Sequence, residues 1–177
     1  SNGYSLVRSV LDAGIAAGKF ELFGEVEGLN QTLASALLAP TRIYVKPVLN
    51  VLRDFTVNGI VHITGGGFDG NVHRILPKGV RARIDPQAWP RPGVFAWVQR
   101  HGELSDAEML RVFNCGIGMV LAVPHDQADD VAERLRAQGE RAYRIGTVER
   151  RRKGEPPLLL EPGFLGAAHE LARPSDG

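Results

Sequence analysis

Thr64-Gly65-Gly66-Gly67 is the densest glycine cluster in a chain that carries 21 glycines in 177 residues. Average proteins hold about 7% glycine. A nearly continuous apolar, β-branched run over 59–64 leads into the cluster and reads as a buried strand, while Val72, Ile75 and Leu76 fall on one face of a short helix that Pro77 ends. Strand, glycine loop and helix make an arrangement in which backbone N–H groups converge on an anion, because missing Cβ atoms let an oxyanion approach. The same glycines equally suit a tight strand-to-helix turn that needs positive φ. The loop lacks the lysine of a Walker A motif and the spacing of a dinucleotide fingerprint, so both readings stay open.

Two further clusters carry polar atoms at element ends. Asn114-Cys115-Gly116 falls at a helix-to-strand junction. A cysteine nucleophile needs a base or an electropositive setting to lower its pKa, and no histidine is near it in sequence, so Cys115 reads as a small buried thiol beside a capping asparagine and glycine. Ser1-Asn2-Gly3 precedes a helix. Its plain reading is a cap, and a hydroxyl and an amide there also suit an anionic ligand. The histidines (His62, His73, His101, His125, His169) show no metal-ligand spacing, so no metal site is expected on this chain alone. His62, inside an apolar strand, reads as a core residue.

The elements that position these clusters follow from periodicity. Apolar stripes predict helices over 4–13, with Gly14 as its stop, over 31–38, and over 43–55 with Pro47 in the first turn. Residues 20–23 are a candidate strand. A strand over 81–85 and a helix through 94–98 ending near Gly102 come next. Ser105-Asp-Ala-Glu108 matches the capping box, with Leu104 and Met109 as its hydrophobic staple, and starts a helix that runs through Phe113. A strand over 117–123, a helix over 126–138 capped by Gly139, and strands over 142–149 and 158–161 complete the order. The Arg150-Arg-Arg-Lys153 cluster reads as a solvated hairpin turn between the last two strands. The expected fold is α+β, a mixed sheet covered by helices, over 1–161, with 162–177 as a flexible tail.

Composition narrows the function. Lys and Arg number 21 against 20 Asp and Glu, so no global field favours nucleic acid or an anionic membrane. One cysteine excludes an internal disulfide and fits a reducing, cytoplasmic setting. No apolar stretch approaches the roughly 18 residues of a membrane span.

Four blocks together resemble a known family: residues 1–8 (Ser-Asn-Gly-Tyr-Ser-Leu-Val-Arg), 38–46 (Leu-Ala-Pro-Thr-Arg-Ile-Tyr-Val-Lys), 62–68 (His-Ile-Thr-Gly-Gly-Gly-Phe) with Asn71, Arg74, Leu76 and Pro77, and 113–119 (Phe-Asn-Cys-Gly-Ile-Gly-Met). They look like the C-terminal half of the phosphoribosylformylglycinamidine cyclo-ligase (aminoimidazole ribonucleotide synthetase) family, in unbroken order over about 1–149. His73 stands where members carry proline, and Val112 where threonine is usual. The resemblance implies an enzyme of purine biosynthesis that uses ATP and Mg²⁺ to close the imidazole ring of formylglycinamidine ribonucleotide, giving aminoimidazole ribonucleotide, ADP and phosphate. It implies a homodimer as the full-length enzyme, with nucleotide and Mg²⁺ held mainly by an N-terminal half that this chain, starting at Ser1 without methionine, is expected to lack. It carries a substrate-facing role to Ser1, Asn2, Gly3, Thr64, Gly65, Gly66, Gly67, Phe68 and Asn71, and less directly to Asn114 and Gly116. It names no catalytic base. Sister synthetases and kinases of the superfamily, and a non-catalytic small-molecule-binding domain, are the competing readings.

Overall fold

A computed structural model describes residues 2–26 and 28–161. The expectations for Ser1 and for a tail over 162–177 lie outside them. The order is α1 (Tyr4–Ala16), α2 (Leu33–Leu37), α3 (Val45–Asp54), β1 (Gly59–His62), α4 (Gly67–Val72), β2 (Val80–Ile84), α5 (Gly93–His101), α6 (Asp106–Val112), β3 (Met119–Ala122), α7 (Ala128–Arg136), β4 (Gly146–Arg150) and β5 (Leu158–Leu160), with 3₁₀ turns at His73–Ile75 and His125–Gln127. Mixed α/β architecture is as expected. The strands divide into two small sheets.

In the first sheet β1 pairs antiparallel with β3, His62 opposite Met119. In the second, β2 is central, antiparallel to β4 on one side and parallel to β5 on the other. The hairpin expected from the last two strands is therefore absent: residues 151–157 step across β2, which stands between β4 and β5. Arg81 holds that crossing, pairing with Glu149 at 2.6 Å and Glu155 at 3.2 Å.

Helices α1, α2 and α6 pack on α5, α4 packs on α6, and α3 packs on α7. Phe68, Leu33, Ile63, Met109, Val98 and Cys115 are fully buried at the centre. The capping box is present in full: Ser105 Oγ accepts from the Glu108 N–H and Glu108 Oε2 accepts from the Ser105 N–H. The Ser105 hydroxyl, which donates to Glu108 Oε2 at 2.7 Å, and then the Ser105 N–H hold the Glu108 carboxyl below its ordinary range. Pro47 sits in the first turn of α3, where its missing N–H costs nothing.

Three boundaries differ for local reasons. Gly14 does not stop α1. It is the point where Phe20 packs, since a Cβ there would lie 2.0 Å from Phe20 Cζ. Residues 20–23 turn instead of forming a strand, and Phe20 spends its ring on Trp97, edge to face at 4.8 Å. The helix after the glycine loop begins earlier than the apolar spacing indicates, at Gly67, and tightens to a 3₁₀ turn before Pro77.

Candidate functional site

The glycine loop is built around one buried amide. Asn71 Nδ2 donates to the carbonyls of Thr64 (3.3 Å), Gly65 (3.1 Å) and Gly67 (2.7 Å). Among the described residues every peptide is trans, and in a trans peptide C=O and N–H point oppositely. Drawing those carbonyls inward therefore turns the N–H groups of Gly65, Gly66 and Phe68 away from Asn71. Gly66 and Gly67 have φ of +91° and +56°. A Cβ on Gly67 would lie 2.0 Å from the Leu110 carbonyl oxygen, so α4 rests backbone to backbone on α6.

That contact joins the glycine loop to the 114–116 turn. The buried Phe68 ring stacks on Trp89 (centroids 5.5 Å apart), and the Trp89 indole N–H donates to the Cys115 carbonyl at 3.0 Å. Asn114 Oδ1 accepts from the Gly116 N–H at 3.1 Å, fixing a turn in which Cys115 takes φ +48°. Burial pushes the Cys115 thiol up to about 12, the reverse of what a nucleophile requires. Behind the turn, Arg91 donates to Gln99, and Gln99 Nε2 donates to Asp106 Oδ1 at 2.7 Å, tying the start of α6 to α5.

The amino-terminal cluster reaches the same place. Gly3, with φ +78°, precedes α1 without a side-chain cap. Glycine is needed there because a Cβ would fall 2.3 Å from the Phe113 ring. The Asn2 amide lies over Gly65, its Oδ1 3.5 Å from where a Cβ on Gly65 would be.

Together these pieces wall a cleft of about 300 Å³. Asn2, Thr64, Asn114 and Gly116 line it among the expected site residues. Gly3, Gly65, Gly66, Gly67, Phe68 and Asn71 are not part of its wall. Phe68 and Asn71 are buried supports behind the loop, and Gly65 and Gly66 are exposed at its tip.

The opposite wall is the arm over 39–44 together with His62, none of which is among the substrate-facing residues expected from the sequence. Arg42 Nε pairs with Glu140 at 2.7 Å and its Nη2 donates to the Gly139 carbonyl, fastening the arm to the end of α7. Tyr44 lies flush on Gly118, where a Cβ would fall 1.9 Å from the phenol oxygen. Burial and the Glu140 carboxylate push the phenol pKa up. His62 is exposed in the cleft and not in the core, its ring edge to face with Tyr44 at 5.9 Å. The period-2 alternation of Val61 and Ile63, both buried, already places His62 on the other face.

A second cavity of about 350 Å³ lies beyond Tyr44, among Val48, Ile75, Ile84, Val131 and Tyr143. It is larger and mostly apolar; Glu140, His125, Arg141, Arg144 and Thr147 also line it, and Tyr44 lines both cavities. Convergent polar groups, which position and polarise a ligand, are in the smaller cleft.

A model of the AIR synthase related protein C-terminal domain family matches residues 1–157. The chain belongs to that family. Among curated proteins it is similar to the phosphoribosylformylglycinamidine cyclo-ligases of Paraburkholderia phymatum, 48% identical over 160 residues, and Nitrosospira multiformis, 45% identical over 161. These matches take in 90% and 91% of this chain and 43% and 44% of the relatives, so the chain spans less than half their length. Its fold is similar to that of thiamine-monophosphate kinase from Stenotrophomonas maltophilia, with a TM-score of 0.55 at 17% identity over 86% of this chain and 46% of the other. Among the described residues no helix is long and apolar enough to cross a membrane.

Proposed function

We propose that this chain is the C-terminal, substrate-binding part, over 1–161, of a cytoplasmic phosphoribosylformylglycinamidine cyclo-ligase that acts as a homodimer. The carrying observation is convergence: the four blocks of family resemblance, far apart in sequence, wall a single cleft with Asn2, Arg42, His62, Thr64, Asn114 and Gly116 upon it. ATP is the phosphoryl donor in this reading, held with Mg²⁺ by residues outside this chain. Among the described residues no three His, Cys, Asp or Glu side chains converge to hold a metal ion.

The reaction phosphorylates the formyl amide oxygen, turning it into a leaving group. The amidine nitrogen then bonds to that carbon, the C–O bond breaks, phosphate departs and the nitrogen loses a proton. This chemistry rests on positioning and on stabilising developing charge. The outward N–H groups of the glycine loop suit an anionic group of the ribonucleotide, the Asn2 and Asn114 amides and the Thr64 hydroxyl suit its polar edge, and Asn71 and Phe68 keep the loop in shape. Neither a phosphorylated substrate nor ring closure asks for an enzyme thiol, in keeping with the buried Cys115.

The test is a chimera in which this chain replaces the matching 160 residues of the Paraburkholderia phymatum cyclo-ligase. It should close the ring with ATP and restore growth without purines to a strain lacking the enzyme, whereas the chain alone should show no turnover. A folded chimera without turnover, or turnover by the chain alone at catalytic concentrations, would contradict the proposal.

A further inference from the structure

The proposed ring closure releases a proton from the attacking nitrogen, and the cleft offers few groups to take it. Its titratable side chains are Tyr4, Arg42, Tyr44 and His62, with no carboxylate or lysine among the described residues that line it. Arginine stays charged at any physiological pH. Tyr44 is held protonated by burial and by Glu140. The Tyr4 hydroxyl donates to the Leu37 carbonyl. Histidine is the side chain that ordinarily changes charge between pH 5 and 8.

Geometry supports the same residue. His62 and Thr64 stand two positions apart on an extended segment, so both side chains face the cleft. The backbone beneath is fixed, with His62 paired to Met119 and the Ile63 N–H donating to the Gly118 carbonyl at 2.8 Å. The arm side contributes Tyr44, at 66° to the imidazole plane, and Arg42, whose charge is already matched by Glu140. From α1 comes Tyr4, and from β3 the uncharged Met119.

We propose that His62 is the general base of the ring closure. A neutral imidazole nitrogen accepts the proton of the amidine nitrogen as the N–C bond forms and the bond from carbon to the phosphorylated oxygen breaks. Phosphate leaves with the electron pair, and the imidazolium then returns its proton to solvent. This assignment rests on the cyclo-ligase reading.

The experiment uses the same chimera, with His62→Gln and His62→Asn. Positioned general bases contribute roughly 10²- to 10⁴-fold, and kcat should fall by that factor with KM within about threefold. The acid limb of the kcat against pH profile should disappear, and added imidazole should restore part of the rate. Because His62 is exposed, both variants should melt with the parent. A kcat within tenfold of the parent, a rise in KM alone, or a loss of folding would overturn the assignment, the last by making the ring structural. A folded parent without turnover would instead sink the cyclo-ligase reading and this inference with it, so the two failures are told apart.

Discussion

The two turns that meet at the cleft hold left-handed backbone by opposite means. At Gly66 and Gly67 the chain reaches φ of +91° and +56° with no Cβ to clash, and a buried amide, Asn71, gathers three carbonyls from within. The 114–116 turn places a residue with a side chain, Cys115, at +48° and holds it from outside, through the Trp89 indole on its carbonyl and the Asn114 oxygen on the Gly116 N–H. The first turn depends throughout on atoms being absent; in the second only Gly116 does, at φ +104° with Pro92 Cδ 2.6 Å from where a Cβ would be, while Cys115 depends on neighbours being present. The glycine loop should therefore be brittle to substitution at Gly66 and Gly67, and the second turn tolerant at Cys115 though not at Gly116.

The largest effect is expected at Gly67. Gly67→Ala places a Cβ 2.0 Å from the Leu110 carbonyl oxygen, a backbone atom that cannot move aside, and adds the cost of positive φ. Overpacking of 1–3 kcal/mol and strain of similar size give a loss of about 4 kcal/mol, much of the stability of a domain this size. Urea unfolding measures it. A loss under about 1 kcal/mol would mean that α4 and α6 can separate freely and that the glycine serves no packing purpose.

Asn71 comes next. Asn71→Ala leaves the Thr64, Gly65 and Gly67 carbonyls without their shared donor and should cost about 2 kcal/mol. Asn71→Asp keeps the shape but faces those carbonyls with an acceptor, and should cost more. Equal stability of the two variants would show that the amide fills space and staples nothing.

How much of this could be read from the chain varies with the range of the interaction. Local signals were legible: the Ser105 to Glu108 capping box, Pro47 in a first helical turn, the apolar 59–64 run and the stop at Pro77. The glycine loop and the Asn114 turn stood out by composition. Their linkage did not, because it passes through Phe68, Trp89 and the Leu110 backbone, contacts between segments far apart in sequence. The β4-β2-β5 order was missed for a related reason: alternation marks a strand but not its neighbour, and a seven-residue connection allows either a pairing or a crossing. His62 was misplaced by reading the apolar run as buried on both faces, although one face of β1 opens on the cleft.

The smallest effect is expected at Cys115. Cys115→Ala removes little volume and should cost about 1 kcal/mol. Its pH dependence carries more information than its size. An ordinary cysteine ionises near 8.5, so above about that pH the unfolded chain releases a proton that the folded one, with its thiol at about 12, keeps. The thiol's contribution is full below roughly pH 8.5 and declines as pH rises toward 12. Urea midpoints at pH 8, 9.5 and 10.5 should show the advantage of the parent over Cys115→Ala shrinking with pH. A constant gap would mean that the thiol ionises within the fold.

The most direct test of the cleft as the ligand-binding face is an amide NMR titration of this chain with millimolar aminoimidazole ribonucleotide, the product of the proposed reaction. The account predicts shifts centred on the cleft wall at Asn2, His62, Thr64, Asn114 and Gly116 and on the adjoining glycine loop, with β4, β5, Val131, Tyr143 and Ile145 unmoved. Shifts centred on Val131, Tyr143 and Ile145, or the same pattern produced by free ribose, would contradict it.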